Sequence, residues 1–191
     1  MTNTVRGIWW MVSAALFFAC IVTCGRSLSG RYGAFEIVVL QTSISTLLMV
    51  PWLVKGGFAR LRTRRPTVYG LRAVVAMLAM VSMFFALKTL PVADATALLY
   101  SAGLFTVLFA AIALREAVGV RRWIALLVGF TGALIIIRPG FTEFSWSLAI
   151  MMLSALTFGA ANVFTRFLAI TEDANAVVFY NYFLMGLLAL P

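Results

Sequence analysis

Histidine is absent from this chain of 191 residues, and charged residues of either sign are scarce. Without histidine, the sequence lacks the side chain that most often shuttles protons and binds metals. Charged residues make up 11% of the chain, against about a quarter in a soluble domain. These shortages argue against a soluble fold, and we expect neither a metal nor a cofactor.

Acidic residues are the rarest charged group, since only six are present. All six lie at the ends of apolar runs or between them: Glu36, Asp94, Glu116, Glu143, Glu172 and Asp173. An enzyme needs a nucleophile, a base or a metal set gathered near one face. Scattered carboxylates without histidine therefore predict that the chain is not an enzyme.

Cysteine is also rare, with Cys20 and Cys24 both in the first apolar run. Four residues apart, they stack on one helical face, which is poor geometry for a disulfide and a weak metal site. We interpret both as small packing residues. The run itself is too long for a typical signal peptide and has no cleavage site after it, so it is predicted to be a first span.

Apolar residues are what the chain has in excess, at 63% with a mean hydropathy of +1.04. A packed soluble core cannot absorb this much apolar surface, so a lipid bilayer must be its solvent. Seven apolar runs are predicted to cross the bilayer as helices, the fifth of them lengthened by a turn at its start. The predicted spans are Ile8–Leu28, Ile37–Val54, Val68–Leu87, Ala95–Leu114, Trp123–Ile137, Phe144–Phe164 and Ala174–Leu190. The predicted fold class is an all-α polytopic membrane protein.

The net charge of +9 comes from basic residues clustered between the apolar runs. Eleven Lys and Arg residues fall on the side of the N-terminus and four on the other, which predicts a cytoplasmic N-terminus. This pattern is typical of membrane topology signals, so we expect no nucleic-acid partner. Arg72, near the start of the third span, is interpreted as one such charge that snorkels to the headgroups.

An internal repeat appears when the chain is shifted by 140 residues. The pairs that match include Met11 with Met151, Phe18 with Phe158, Arg26 with Arg166 and Pro51 with Pro191. The unit holds five spans, and an odd number inverts the second copy relative to the first. We predict a complete five-helix repeat over residues 1–140 and the start of an inverted second repeat over residues 141–191. Inverted repeats are typical of secondary transporters.

Three stretches resemble the drug/metabolite transporter superfamily in its EamA-type branch. They are Phe85 to Leu98, Leu104 to Glu116, and Gly129 to Gly140, which ends in Ile-Arg-Pro-Gly. The resemblance implies a ten-span carrier in a bacterial-type inner membrane that moves a small metabolite, often an amino acid or related solute, and often as an exporter. Two positions depart from the family pattern, since Gly103 replaces a proline and Gln41 replaces an arginine.

The chain contains two spans of the second repeat, and the family fold has five. We therefore expect either a fragment of a ten-span carrier or a non-transporting bundle that is a partner subunit. A short chain of this kind can also complete its bundle with another chain, which gives a homo-oligomer.

Polar residues inside the spans are the candidate substrate-binding residues. Asn162 needs a partner in lipid, so it is predicted either to hold the bundle by an interhelical hydrogen bond or to line a cavity. Gln41 has the same two interpretations. Tyr100 and Ser101 lie in the span that the family places beside its pathway, and Tyr180 lies in a polar cluster of the seventh span. No carboxylate is central in a span, which predicts facilitated diffusion or exchange rather than proton coupling.

Overall fold

A computed structural model describes residues 3–56, 61, 63, 65–113, 119–137 and 145–190. Seven helices form within these ranges, as predicted. They are α1 (Asn3–Ser29), α2 (Ala34–Gly56), α3 (Pro66–Ala86), α4 (Val92–Ala113), α5 (Val120–Ile137), α6 (Trp146–Ala169) and α7 (Ala174–Ala189). The predicted span ends at Leu114 and Phe144, the Arg115–Glu116 pair and the stop at Arg138–Gly140 lie outside the described residues.

Five of these helices, α1 to α4 and α6, are long and apolar enough to cross a membrane. Helix α7 and the described apolar part of α5, Trp123–Gly132, are shorter. Large apolar side chains such as Trp10, Val54 and Leu48 cover the outside of the bundle. Apolar helices with apolar outer faces confirm the predicted class of polytopic membrane protein.

Local signals explain where several helices begin. Helix α3 starts at Pro66, which needs no N–H partner in a first turn. Helix α7 follows Asp173, whose Oδ1 accepts a hydrogen bond from the Asn175 N–H at 2.7 Å. Helix α2 runs through Pro51 to Gly56, beyond the predicted end at Val54.

The turn between α1 and α2 recurs 140 residues later, between α6 and α7. Helix α1 ends at Ser29 and α2 begins at Ala34, while α6 ends at Ala169 and α7 begins at Ala174. In each turn two successive N–H groups donate to one leucine carbonyl, at 2.9 Å to Leu28 and at 3.0 and 2.9 Å to Leu168. The two segments therefore share local geometry as well as sequence.

Helices α3 and α6 form the centre of the bundle. Their facing side chains, including Ala79, Met83, Met151 and Ser154, are buried. Helix α6 also packs closely along α4, since a Cβ added at Gly159 would lie 2.6 Å from the Phe105 Cβ. Helix α7 packs along α2 and α3, whereas α1 touches its neighbours at few points.

The two ends of the bundle are distinguished by their connections. The α2–α3 and α6–α7 connections meet at one end, where the Thr63 hydroxyl donates to Glu172 Oε1 at 3.1 Å. We call this the basic end, because residues 55 to 65 include five Lys and Arg residues. At the opposite end the Arg26 guanidinium donates to the Leu87 carbonyl and so joins α1 to α3.

Candidate functional site

A cavity of about 380 Å³ lies between α1, α4 and α6. Its lining residues come from near the middle of each helix, so the cavity lies at mid-depth in the bundle. Three of them carry polar groups, and two add phenyl rings. These are Thr96, Tyr100 and Asn162, together with Phe18 and Phe158. We call this space the central cavity.

Asn162 reaches from α6 to α4. Its Nδ2 donates to the Thr106 Oγ1 at 3.3 Å, and the Thr106 hydroxyl donates in turn to the Ala102 carbonyl at 2.7 Å. The amide thus has the interhelical partner that lipid demands, while its residue remains exposed to the cavity. The Asn162 side chain therefore does both things that the sequence suggested as alternatives, since it contacts a neighbouring helix and also lines the cavity.

Tyr100 projects from α4 with 72% of its surface exposed. Within the part of the chain that the structure describes, its hydroxyl has no hydrogen-bond partner. Thr96, one turn earlier, donates to the Val92 carbonyl of its own helix at 2.9 Å. The Tyr100 hydroxyl is therefore the polar group in the central cavity most available to a ligand.

No charged side chain is among the described residues that line the central cavity. Its chemistry consists of apolar contact, ring stacking, and hydrogen bonds from a hydroxyl and an amide. Such a site does not compensate a formal charge on the portion of a ligand that it holds. It fits the neutral, partly apolar portion of a solute.

Residues 140 positions apart meet across the central cavity. Phe18 and Val22 line it from α1, and their equivalents Phe158 and Asn162 line it from α6. The internal repeat thus relates two walls of one space. Equivalent residues of α1 and α6 would not line the same cavity if the two helices lay apart in the bundle.

Ser101 and Tyr180 lie elsewhere. Ser101 is buried between α4 and α6, where its hydroxyl donates to the Leu98 carbonyl at 2.6 Å. The Tyr180 hydroxyl donates to the Leu61 carbonyl at 2.7 Å, at the basic end. Neither side chain is among those that line the central cavity.

Gln41 lies in a second, smaller cavity of about 300 Å³ between α1, α2, α3 and α7. Tyr182, Phe84 and Cys24 line it as well. The structure therefore separates Gln41 from Asn162 and Tyr100. It also gives Cys24 an exposed position on a cavity wall, which differs from the packing role predicted from sequence.

A larger groove of about 790 Å³ lies between α2 and the end of α7. Its walls include Phe35, Leu40 and Tyr32, which are exposed on the outer surface of the bundle. An apolar groove on the outer surface of a membrane bundle faces lipid, so we do not place the site there.

Arg72 does not snorkel to the headgroups, and that interpretation of the sequence was wrong. Its Nε donates to the Thr165 hydroxyl at 2.9 Å, and its Nη1 to the Val177 carbonyl at 3.4 Å. The guanidinium therefore points into the bundle and joins α3 to α6 and α7. The sequence contained one sign of this inward position, because Arg72 is the seventh residue of α3 rather than a terminal one.

Comparison with known proteins decides the family. A model of the EamA-like transporter family matches residues 5–138, which is more than half of the chain. The chain belongs to the EamA-like transporter family. It is also similar to a riboflavin transporter of Rhizobium johnstonii, at 31% identity over 92% of this chain and 59% of that protein.

Further relatives transport different solutes, according to their names. An S-adenosylmethionine uptake transporter of Rickettsia prowazekii is 25% identical over 98% of this chain and 64% of its own length. A pseudopaline exporter of Pseudomonas aeruginosa is 30% identical over 97% of this chain and 65% of its own length. The chain thus spans slightly less than two thirds of each of these relatives.

Proposed function

We propose that the chain forms the substrate-holding part of a bacterial inner-membrane transporter that moves a small metabolite by alternating access between inverted repeats. The observation that carries the proposal is the central cavity, where residues related by the 140-residue repeat form facing walls. Secondary transporters hold their substrate near the midplane at the interface of such repeats. The family match and the transporter relatives support the same function.

The cavity lining favours a class of solute. Phe18, Phe158 and Tyr100 offer ring surfaces, while Asn162 and the Tyr100 hydroxyl offer hydrogen bonds. The proposed substrate is an amino acid or related metabolite whose apolar or planar portion enters this cavity. A charged group on the same solute would have to be held by residues outside it.

Export is the proposed direction, as the family resemblance implies. The pseudopaline exporter among the relatives fits this direction, whereas the S-adenosylmethionine uptake transporter fits the opposite one. Flux must therefore be measured in both directions. The absence of a central carboxylate from the seven predicted spans favours exchange or facilitated diffusion, which a protonophore would leave unchanged.

Flux of candidate metabolites into and out of proteoliposomes tests the proposal. The protein should move at least one solute well above protein-free liposomes. Tyr100→Phe should raise the KM for it by about fivefold, since the substitution removes one hydrogen bond to the ligand and keeps the ring. Absence of flux for every solute tried would favour the non-transporting bundle.

A further inference from the structure

The basic end of the bundle is closed by polar contacts between two groups of helices. On one side are α3 and the connection before it, and on the other are α6 and α7. The Tyr180 hydroxyl donates to the Leu61 carbonyl at 2.7 Å, and the Thr63 hydroxyl to Glu172 Oε1 at 3.1 Å. We call these contacts, with those of Arg72 described above, the seam.

Arg72 is the deepest member of the seam. It donates to the Thr165 hydroxyl of α6 and to the Val177 carbonyl of α7, so one side chain joins three helices. Both acceptors are neutral, and among the described residues no carboxylate pairs with the guanidinium. Hydrogen bonds to neutral acceptors are weaker than ion pairs, so water can replace them when helices separate.

A small apolar cluster lies beside the seam and is distinct from the main core. Tyr69, Leu168 and Val177 are buried in it, with Tyr180 and Leu184 packed against them. The rings of Tyr69 and Tyr180 lie 4.8 Å apart between centroids. This cluster joins the same three helices as Arg72, so it blocks the basic end with a few side chains rather than with a continuous core.

The closed arrangement leaves a buried polar atom without a partner. Tyr69 is 2% exposed, and its hydroxyl has no hydrogen-bond partner among the described residues. An unpaired buried hydroxyl costs free energy that hydration would recover. Separation of the helices would therefore return part of the free energy that is lost with the seam contacts.

The structure differs at the opposite end. There the described residues of α6 make a contact from the Ser101 hydroxyl to Met152 Sδ at 3.7 Å and a hydrogen bond between the Thr89 and Ser147 hydroxyls at 2.5 Å. That pair is exposed. Apolar side chains of the main core, including Leu87, Leu90 and Met151, are buried there. The two ends are therefore closed by different contacts, mainly polar at the basic end and apolar at the opposite end.

We infer that Arg72 is a positioning residue for transport that holds the basic end shut, and that the seam must separate for the central cavity to open there. The inference rests on the proposed function for its role in transport. The separation itself is measurable without any substrate.

Side-specific thiol labelling tests the gate. The reporter is Ala102→Cys, on the wall of the central cavity, in a chain with Cys20→Ser and Cys24→Ser. A membrane-impermeant maleimide is applied from each face of oriented vesicles. Arg72→Gln removes two hydrogen bonds and should raise labelling from the basic end by about tenfold or more.

Two further variants make the result decisive. Tyr180→Phe removes the bond to Leu61 and keeps the ring, so labelling from the basic end should rise about fivefold even if Arg72→Gln fails to fold. Ser154→Ala is the control. The Ser154 hydroxyl donates to the Ala79 carbonyl at 2.8 Å and so joins α6 to α3, as Arg72 does, but away from the seam. The substitution should leave labelling within about twofold of the parent.

Unchanged labelling in a folded Arg72→Gln or Tyr180→Phe variant would overturn the inference, as would an equal rise in Ser154→Ala. Raised labelling without flux of any solute would leave the gate standing and count against the proposed transport function. Flux of a solute together with unchanged labelling would support the proposed transport function and overturn the gate.

Discussion

Helices α1 and α6 are equivalent under the 140-residue repeat, yet they lie in different surroundings. Met11 in α1 is 75% exposed, whereas its equivalent Met151 in α6 is fully buried. Helix α6 is enclosed by α3 and α4, while α1 meets the bundle chiefly through its last turns, at Val22 and Ser29. Similar sequences thus give similar turns and facing cavity walls, but the neighbouring helices decide burial.

The largest difference between α6 and α1 is expected for substitutions at Gly159 and its equivalent, Ala19. Gly159→Leu must displace Phe105, because even a Cβ would lie 2.6 Å from that residue's Cβ and 3.0 Å from the Thr106 backbone nitrogen. Overpacking of this kind should cost about 3 kcal/mol of unfolding free energy. Ala19→Leu on exposed α1 should leave stability within about 0.5 kcal/mol. Thermal unfolding in detergent measures both.

Ala19→Leu also sharpens the functional side of the comparison. Ala19 lines the central cavity, so the larger side chain should occupy ligand space and lower flux without loss of stability. Flux equal to that of the wild type in this variant would argue against the cavity as the substrate site.

A second pair of substitutions tests burial alone. Met151→Ala removes a fully buried side chain from the α3–α6 contact and should cost about 2 kcal/mol. Met11→Ala removes one that is exposed and should change stability by less than about 0.5 kcal/mol. Equal losses in unfolding experiments would show that α1 is packed as tightly as α6.

The smallest expected effect concerns the contact between Asn162 and Thr106. Thr106→Val removes the hydroxyl that accepts from Asn162 Nδ2 and keeps the side-chain shape. Hydrogen bonds between helices in membranes are worth about 0.6 kcal/mol on average, so the stability loss should be of that size. A loss of several kcal/mol would mean that the contact holds the bundle together and that ligand binding is secondary for Asn162.

Sequence patterns predicted the seven helices because each apolar run is long and ends at charged, proline or glycine residues. They did not distinguish neighbouring residues such as Tyr100 and Ser101. Adjacent helical residues point about 100° apart, so one reaches the central cavity and the other packs against α6. Which direction is which depends on where α6 lies, and a single helical run carries no information about that.

Arg72 illustrates a second reason for failure. As the seventh residue of α3 it lies deeper than most snorkelling side chains, but the sequence cannot show that α6 and α7 supply two hydrogen-bond acceptors inside the bundle. Gln41 was separated from Asn162 for the same reason, since α1 divides the two cavities that they line. The inverted arrangement of residues 141–191 stays a prediction.

The most direct test of the central cavity is the flux of one transported solute through Asn162→Ala compared with Gln41→Ala. Each substitution removes one amide, from the central cavity and from the smaller cavity respectively. We expect Asn162→Ala to lower kcat/KM about tenfold, because it removes a hydrogen bond to the ligand, and Gln41→Ala to stay within about twofold. Normal flux in Asn162→Ala with lost flux in Gln41→Ala would contradict the assignment.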